Sequence, residues 1–415
     1  MPSRRQVLAG VGVAGLGAVA GGWSTRLGPV ATESPPSNTW PQTRRDAANT
    51  ASTDDQSPTD PSAAWEESAV ADGTYGTLVA DRETVYVGGS AIAAHDRTSG
   101  ANRWRVRAPG ELLALRDDTL FTATSRGTDG GPSTRTLRAY DVTAGTKRWQ
   151  ADLPSVAYGL TPTVDGIFVG CHGSLTAFGL DGRHRWTLES SGSGIVRPMV
   201  YDGALFAATA GTVSRFQSRR LLDLPVHGPP EPAWTGSDVY GGYPTVLERQ
   251  LVIGNEQSQV DVGDPGVTAF HLDSGEFVWS SVDGPSADER ERIRALTPAK
   301  LGGPGAPHPR AAITAVSRSD GSASTDSILG IDLRNGGIRW RRDVEPLVSS
   351  VAGVPGGAVV ATDSGTTEAG GSIRAYSTAG EPRWVVEFDR AVTAIAPLAG
   401  ELLALLRDGR VVSLQ

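Results

Sequence analysis

The sequence predicts an all-β fold, and three observations carry that expectation: eight regularly spaced tryptophans, a turn motif ahead of most of them, and apolar runs too short for helices. The chain has 415 residues, with Gly at 52 positions and Pro at 27. Both residue types favour turns over helix interiors. The apolar stretches between them are enough for one large core, so the glycine content signals turns and not disorder.

The tryptophan spacing comes first. Trp23 and Trp40 lie near the N-terminus; the others are Trp65, Trp104, Trp149, Trp186, Trp234, Trp279, Trp340 and Trp384. Successive members are 39, 45, 37, 48, 45, 61 and 44 residues apart. A period of roughly 40–45 residues is that of a four-stranded propeller blade.

The turn motif comes next. Ala94-His95-Asp96-Arg97-Thr98-Ser99-Gly100 leads to Trp104, and Ala139-Tyr140-Asp141-Val142-Thr143-Ala144-Gly145 leads to Trp149. Related segments end at Gly182, Gly275, Gly336 and Gly380, each four residues before Trp186, Trp279, Trp340 and Trp384. A strand ends near the Asp, glycine takes the positive φ of a tight turn, and the returning antiparallel strand carries the indole. A large flat indole there is expected to cover the gap between neighbouring blades, so all eight tryptophans are assigned to structure.

The short apolar runs supply two further strands per unit, for instance 160–164 and 167–170 on either side of Asp165-Gly166. Similar pairs lie within 77–87, 197–207, 243–253 and 351–361. Beyond Trp384 only three strands remain, 392–397, 402–406 and 410–414, and residues 63–66 are expected to supply the fourth. The fold is therefore read as an eight-bladed β-propeller of four-stranded antiparallel blades, both chain ends sharing the last one, which leaves no open edge there. The unit ending at Trp234 lacks the turn glycine, and seven blades is the alternative count.

These repeats, Ala-x-Asp-x-x-(Ser/Ala)-Gly-x-x-x-Trp, resemble those of the pyrroloquinoline-quinone-like (PQQ-like) β-propeller family over about residues 63–415. Residues 40–50 resemble the lead-in often found before such propellers. The resemblance implies either a quinone-dependent dehydrogenase or a non-catalytic propeller such as the scaffold of the outer-membrane β-barrel assembly machine. Fold alone does not choose between them. Cys171 is the only cysteine, so the adjacent-cysteine disulfide of many alcohol dehydrogenases cannot form, and no position matches their calcium-binding or catalytic carboxylates. The lipoprotein cysteine of the assembly-machine scaffold is absent too.

The N-terminus reads as an address. Ser3-Arg4-Arg5-Gln6-Val7-Leu8 precedes a short apolar stretch rich in Gly and Ala, the pattern of a twin-arginine export signal with Arg4 and Arg5 as its pair. Three segments follow from this: a signal over 1–28, a flexible Pro-, Ser- and Thr-rich spacer over 29–62, and a single propeller domain over 63–415. The expected location is extracellular or on the outer face of the cytoplasmic membrane, peripheral to it at most. Gly10-Val11-Gly12-Val13-Ala14-Gly15 fits a dinucleotide glycine pattern but follows no strand, and is rejected.

A search for chemistry excludes more than it finds. The net charge of −8 and the lack of a basic stripe argue against nucleic acid. No pair of histidines has metal-ligand spacing, and neither a nucleophile elbow nor a phosphate loop is present. Asp261-Val262-Gly263-Asp264-Pro265-Gly266 reads as a turn. His95 and His271 are assigned to equivalent repeat positions, on the surface or between blades, and Cys171 to the core. Residues 288–294 read as a solvated loop or short helix and 302–309 as an insertion projecting from one rim; either could dock a partner. No catalytic residue, metal or cofactor is expected. The chain reads as a monomeric scaffold for proteins or cell-envelope components, with a PQQ-dependent dehydrogenase and a small-molecule or glycan receptor using the central funnel as alternatives.

Overall fold

The computed structural model describes residues 34–415 apart from 71–75, 125–134, 191–193, 217–228, 241, 255–265, 282–291, 297, 303–309, 320–323, 346 and 364–369. Arg4, Arg5, most of the 302–309 insertion and most of the 261–266 turn lie outside the described residues.

Short runs of β-branched and aromatic residues broken by Asp-Gly and Asn-Gly turns cannot propagate helices, and they pair with their sequence neighbours. Among the described residues the strands form eight antiparallel sheets, the blades of an eight-bladed propeller. Blade 1 comprises Leu78–Ala80, Thr84–Gly88, Ile92–Asp96 and Asn102–Val106, and blade 2 runs from Leu112–Arg116 to Lys147–Asp152. Blades 3, 4, 5 and 7 begin at Ala157–Pro162, Arg197–Tyr201, Thr245–Leu247 and Leu347–Val354. In blade 6 the innermost position is shared by Arg292–Ala295 and Ala299–Lys300, both paired with Ala311–Ser319.

Blade 8 joins the chain ends. Val392–Leu398, Glu401–Leu406 and Arg410–Leu414 are completed by Ala63–Ser68, with Trp65 opposite Ser413 and Glu67 opposite Val411. Ser62 and Gln415 exchange both backbone hydrogen bonds at 2.9 Å. The seven-blade count does not hold. The unit ending at Trp234 is a full blade, because its strand ladder and the contact of Phe206 with Trp234 (ring centroids 6.0 Å apart) do not depend on the missing glycine.

The core lies between blades. Leu112, Phe121 and Leu137 of blade 2 pack with Ile167, Val169 and Phe178 of blade 3, and Cys171 is buried in that cluster. Inner strands are buried on both faces, as Thr84–Gly88 is, whereas the outermost strand Asn102–Val106 alternates between exposed and half-buried.

Two expectations need correction. Residues 292–294, read as loop or short helix, belong to the extended strand Arg292–Ala295, since its backbone pairs with Ala311–Ser319. Residues 34–62, read as flexible spacer, form an ordered strap. Trp40 is buried, and its backbone bonds both ways to Ala80 of blade 1 at 2.8 Å. Burying one indole and pairing the backbone outweighs the disorder that the polar composition suggests.

The strap circles one mouth of the central channel. Pro41 accepts from Leu115 of blade 2, and Ala47 accepts from Val200 of blade 4. The Asn49 amide donates to Pro198 of blade 4 and Pro244 of blade 5, and Arg44 donates to Pro298 of blade 6. Residues 51 and 53 bracket Gly353 of blade 7, and Gln56 accepts from Gly400 of blade 8. Gln42 and Asp46 share a cavity wall with Pro162 and Thr163 of blade 3. Asp55 closes the loop on itself by accepting the Asn38 N–H at 2.7 Å.

Candidate functional site

The repeat motif works between blades. In blade 1 the Asp96 carboxylate caps the turn, accepting the N–H groups of Thr98 and Ser99 at 3.0 Å. Gly100 takes φ +74° and donates to the Asp96 carbonyl at 2.8 Å. Its open face carries the indole of the preceding blade, and a Cβ there would stand 2.8 Å from Trp65 Cδ2. Trp65 Nε1–H donates to the Arg97 carbonyl of the same turn at 2.7 Å. The Trp65 indole is therefore held by a glycine face and a carbonyl of the next blade.

The same dock recurs. Trp104 lies on Gly145 and donates to Val142 at 2.8 Å, and Trp149 lies on Gly182 and donates to Leu180 at 3.0 Å. Trp279 pairs with Gly336 and Leu333, and Trp340 with Gly380 and Thr378. Trp234 rests on Gly275, but its Nε1 has no acceptor among the described residues. Trp186 is buried and packs on Phe168. Trp384 has no repeat turn to dock on, because the corresponding connection of blade 8 falls at the chain ends. Its Nε1–H donates instead to Pro58 of the strap at 3.1 Å.

Two parts of the repeat have roles that the sequence did not reveal. The Ala that opens it stands directly opposite the blade's own indole: Ala94 faces Trp104, Ala139 faces Trp149, Ala177 faces Trp186, and Ala269 and Ala375 face Trp279 and Trp384. A small residue there leaves room for the ring. The recurrent Arg-Trp dipeptide is the second. A register shift beside the Ala leaves the residue before Trp unpaired, which re-aims its side chain. Arg103 reaches Asp96 at 2.8 Å, and Arg148 bridges Asp118 at 2.7 Å and Asp141 at 2.8 Å. The Arg103 guanidinium, with Ser99, holds the Asp96 carboxyl down to about 2. Arg148, with Thr119, does the same for Asp118, also down to about 2.

The two histidines are not equivalent. His95 is buried, with Nδ1 2.8 Å from the Gly100 carbonyl. His271 is exposed and occupies the place of Asp96, since Gly275 donates to its carbonyl as Gly100 does to that of Asp96. Gly275 and not the intervening Asp273 sets the alignment. Burial pushes the Cys171 thiol up to about 12, so it stays protonated at neutral pH.

The junction of blades 8 and 1 carries an additional lock. Arg97 and Glu401 form a buried ion pair at 2.5 Å. Arg97 Nε also donates to Glu401, Nη1 donates to the carbonyls of Asn38 and Asp81, and Nη2 donates to Asn38 Oδ1. The other Glu401 oxygen accepts from Ser413 at 2.6 Å. A buried pair needs such full hydrogen bonding to offset desolvation.

Two cavities of about 270 and 380 Å³ flank Asp46 beneath the strap. Thr39, Gln42, Asp81, Asp117 and Thr163 contribute to the first, and Arg45, Thr50, Asp54, Asp55 and Tyr201 to the second. Asp46 accepts from Thr50 through both backbone and hydroxyl, while burial pushes its carboxyl above the ordinary range. Among the described residues no group of three or more His, Cys, Asp or Glu converges as a metal would require.

A ring of antiparallel blades, six of them docked by an indole on a turn glycine of the next, defines a propeller of the PQQ-like repeat class. The profile of the family described as outer membrane protein assembly factor BamB matches residues 55–281 and 133–366, and the chain belongs to that family. Among solved structures, BamB from Moraxella catarrhalis superposes with a TM-score of 0.58 at 15% identity, over 86% of this chain and 97% of that one. A europium-containing methanol dehydrogenase gives 0.63 at 11% identity, over 89% of both chains. The quinohemoprotein alcohol dehydrogenase of Comamonas testosteroni gives 0.59 at 13% identity, over 91% and 80%. At these identities the likeness is one of fold. No curated protein matches the sequence.

Proposed function

We propose that this chain is a non-catalytic scaffold, exported by the twin-arginine route and retained outside the cytoplasmic membrane, that binds protein partners of the cell envelope. The family's description as an outer-membrane assembly factor supports the envelope setting. The observation that carries the binding role is a row of exposed apolar side chains on the outermost strands of three consecutive blades. Phe277 is 63% exposed and Val278 37% in blade 5, Ile338 is 39% exposed in blade 6, and Val385 is 53% exposed in blade 7. Phe277 and Ile338 occupy the same register position, two residues before the blade tryptophan. Apolar residues repeated on one sector of a rigid ring suit a partner surface better than isolated ones do.

The test is in-cell cross-linking of the tagged full chain, followed by identification of envelope proteins. Wild type is expected to recover a defined partner that the Phe277→Ser/Val385→Ser variant loses. Equal recovery by both would reject this surface, and recovery of none would reject the scaffold role. The quinone-dependent dehydrogenase reading is tested alongside by dye-linked oxidation after adding pyrroloquinoline quinone with calcium. Turnover that depends on the quinone would replace the scaffold with an enzyme.

A further inference from the structure

We infer that residues 34–62 are the latch of the ring: a segment outside the repeats that closes the junctions of blade 8. Three independent observations meet here.

The first is substitution. In blades 1, 2, 3, 6 and 7 the turn before the outermost strand receives the indole of the preceding blade. Blade 8 has no such turn, because its third strand ends at Leu414 and its fourth begins at Ala63. The strap takes the turn's place, offering the Pro58 carbonyl to Trp384.

The second is the seam between blades 8 and 1. Asn38 accepts from Arg97 through both its backbone and side-chain oxygens and takes the Ala399 N–H on Oδ1 at 3.2 Å. It thus ties the turn of blade 1 to the first turn of blade 8, beside the buried Arg97–Glu401 pair.

The third is stored strain. Asn38, Arg45, Asn49 and Ala51 all have positive φ, at 59°, 70°, 53° and 46°. Side chains that are unfavourable there persist only where surrounding contacts dictate the backbone. Those contacts come from the blades: Trp40 against blade 1, Asn49 against blades 4 and 5, and residues 51 and 53 against blade 7. The strap is held by the assembled ring and in turn closes it.

One consequence follows. The junctions of blade 8 depend on residues that no repeat encodes, whereas the junction of blades 2 and 3 does not.

The test is backbone hydrogen exchange, resolved by mass spectrometry, on full-length wild type and two strap variants. Trp40→Ala removes the main anchor. Asn38→Gly keeps the positive φ but removes the Oδ1 acceptor, and serves if the first variant does not fold. Exchange is expected to rise more than tenfold in the strap and in Ala63–Ser68, Arg410–Leu414 and Leu78–Ala80. Ala157–Pro162 and Ile167–Cys171 of blade 3 are expected to remain within twofold of wild type. A strap that opens while the blade 8 strands stay protected would overturn the latch. So would an equal rise in every blade.

Discussion

The junction between blades 1 and 2 and the junction between blades 7 and 8 perform the same task with different residues. In the first, Trp104 lies on Gly145 and donates to Val142, and all three belong to the repeat. In the second, Trp384 donates to Pro58, which lies more than 300 residues away in sequence and outside any repeat. A ring must join its ends somewhere, and there a local motif no longer has a local partner. The long-range contacts of the strap take over that role.

The largest expected effects concern the closing region. Trp40→Ala removes a fully buried indole and should lower stability by roughly 3–5 kcal/mol. Arg97→Ala leaves Glu401 buried and unpaired, for which the expected loss is also about 3–5 kcal/mol. Both are measured by urea unfolding. If either costs less than about 1 kcal/mol, the closing junction is no more demanding than a surface loop.

A smaller effect sharpens the inner junction. Gly145→Ala places a Cβ 2.6 Å from Trp104 Cδ2 at a φ of +66°, whereas Gly173, at φ +76°, has open space. Gly145→Ala should cost roughly 2–4 kcal/mol and Gly173→Ala only about 1–2, the left-handed backbone term alone. In a Trp104→Ala background the difference between the two should vanish. A difference that survives would mean the glycine does not serve the indole.

The smallest effect is a pH dependence of opposite sign in the two regions. Asp96 is held down to about 2, below the ordinary 3.8, so its contribution is complete above about pH 4 and is lost as the pH falls towards 2. Asp46 is raised above 3.8 by burial, so the folded strap binds that proton more tightly than the unfolded chain does. Its contribution is present below pH 3.8 and is given up as the pH rises through the raised value. Melting temperatures between pH 2 and 6 should show Asp96→Asn removing part of the acid sensitivity and Asp46→Asn removing an opposing trend. The same slope change in both variants would contradict the assignment.

How much of this was legible follows from the same contrast. The spacing of Trp104, Trp149 and their fellows gave the blade period, and Gly100 and Gly145 gave the turns, because repetition separates signal from chance. The residues 63–66 could be assigned to blade 8 by counting strands. The strap was not legible: residues 34–62 are polar and rich in proline, and their hydrogen bonds to seven separate blades are set by distant residues. His271 was misaligned with His95 by one position: counted from the opening Ala of each unit, Phe270 matches His95 and His271 matches Asp96. The Arg97–Glu401 pair joins positions 304 apart and has no local signature at all. The exposed Phe277, Ile338 and Val385 could have been found by asking which repeats break the polar pattern of the outermost strand.

The most direct measurement of the closing relay is proton exchange at the tryptophan indoles, resolved by NMR of ¹⁵N-tryptophan-labelled full-length protein. In wild type the Nε1–H groups of Trp104 and Trp384 should both be protected, and that of Trp234, which has no acceptor among the described residues, should exchange fastest of the three. In Trp40→Ala the Trp384 signal should lose protection more than tenfold while Trp104 keeps its own. Loss of both together, or a Trp384 indole already unprotected in wild type, would contradict a ring whose last joint is made by its N-terminal strap.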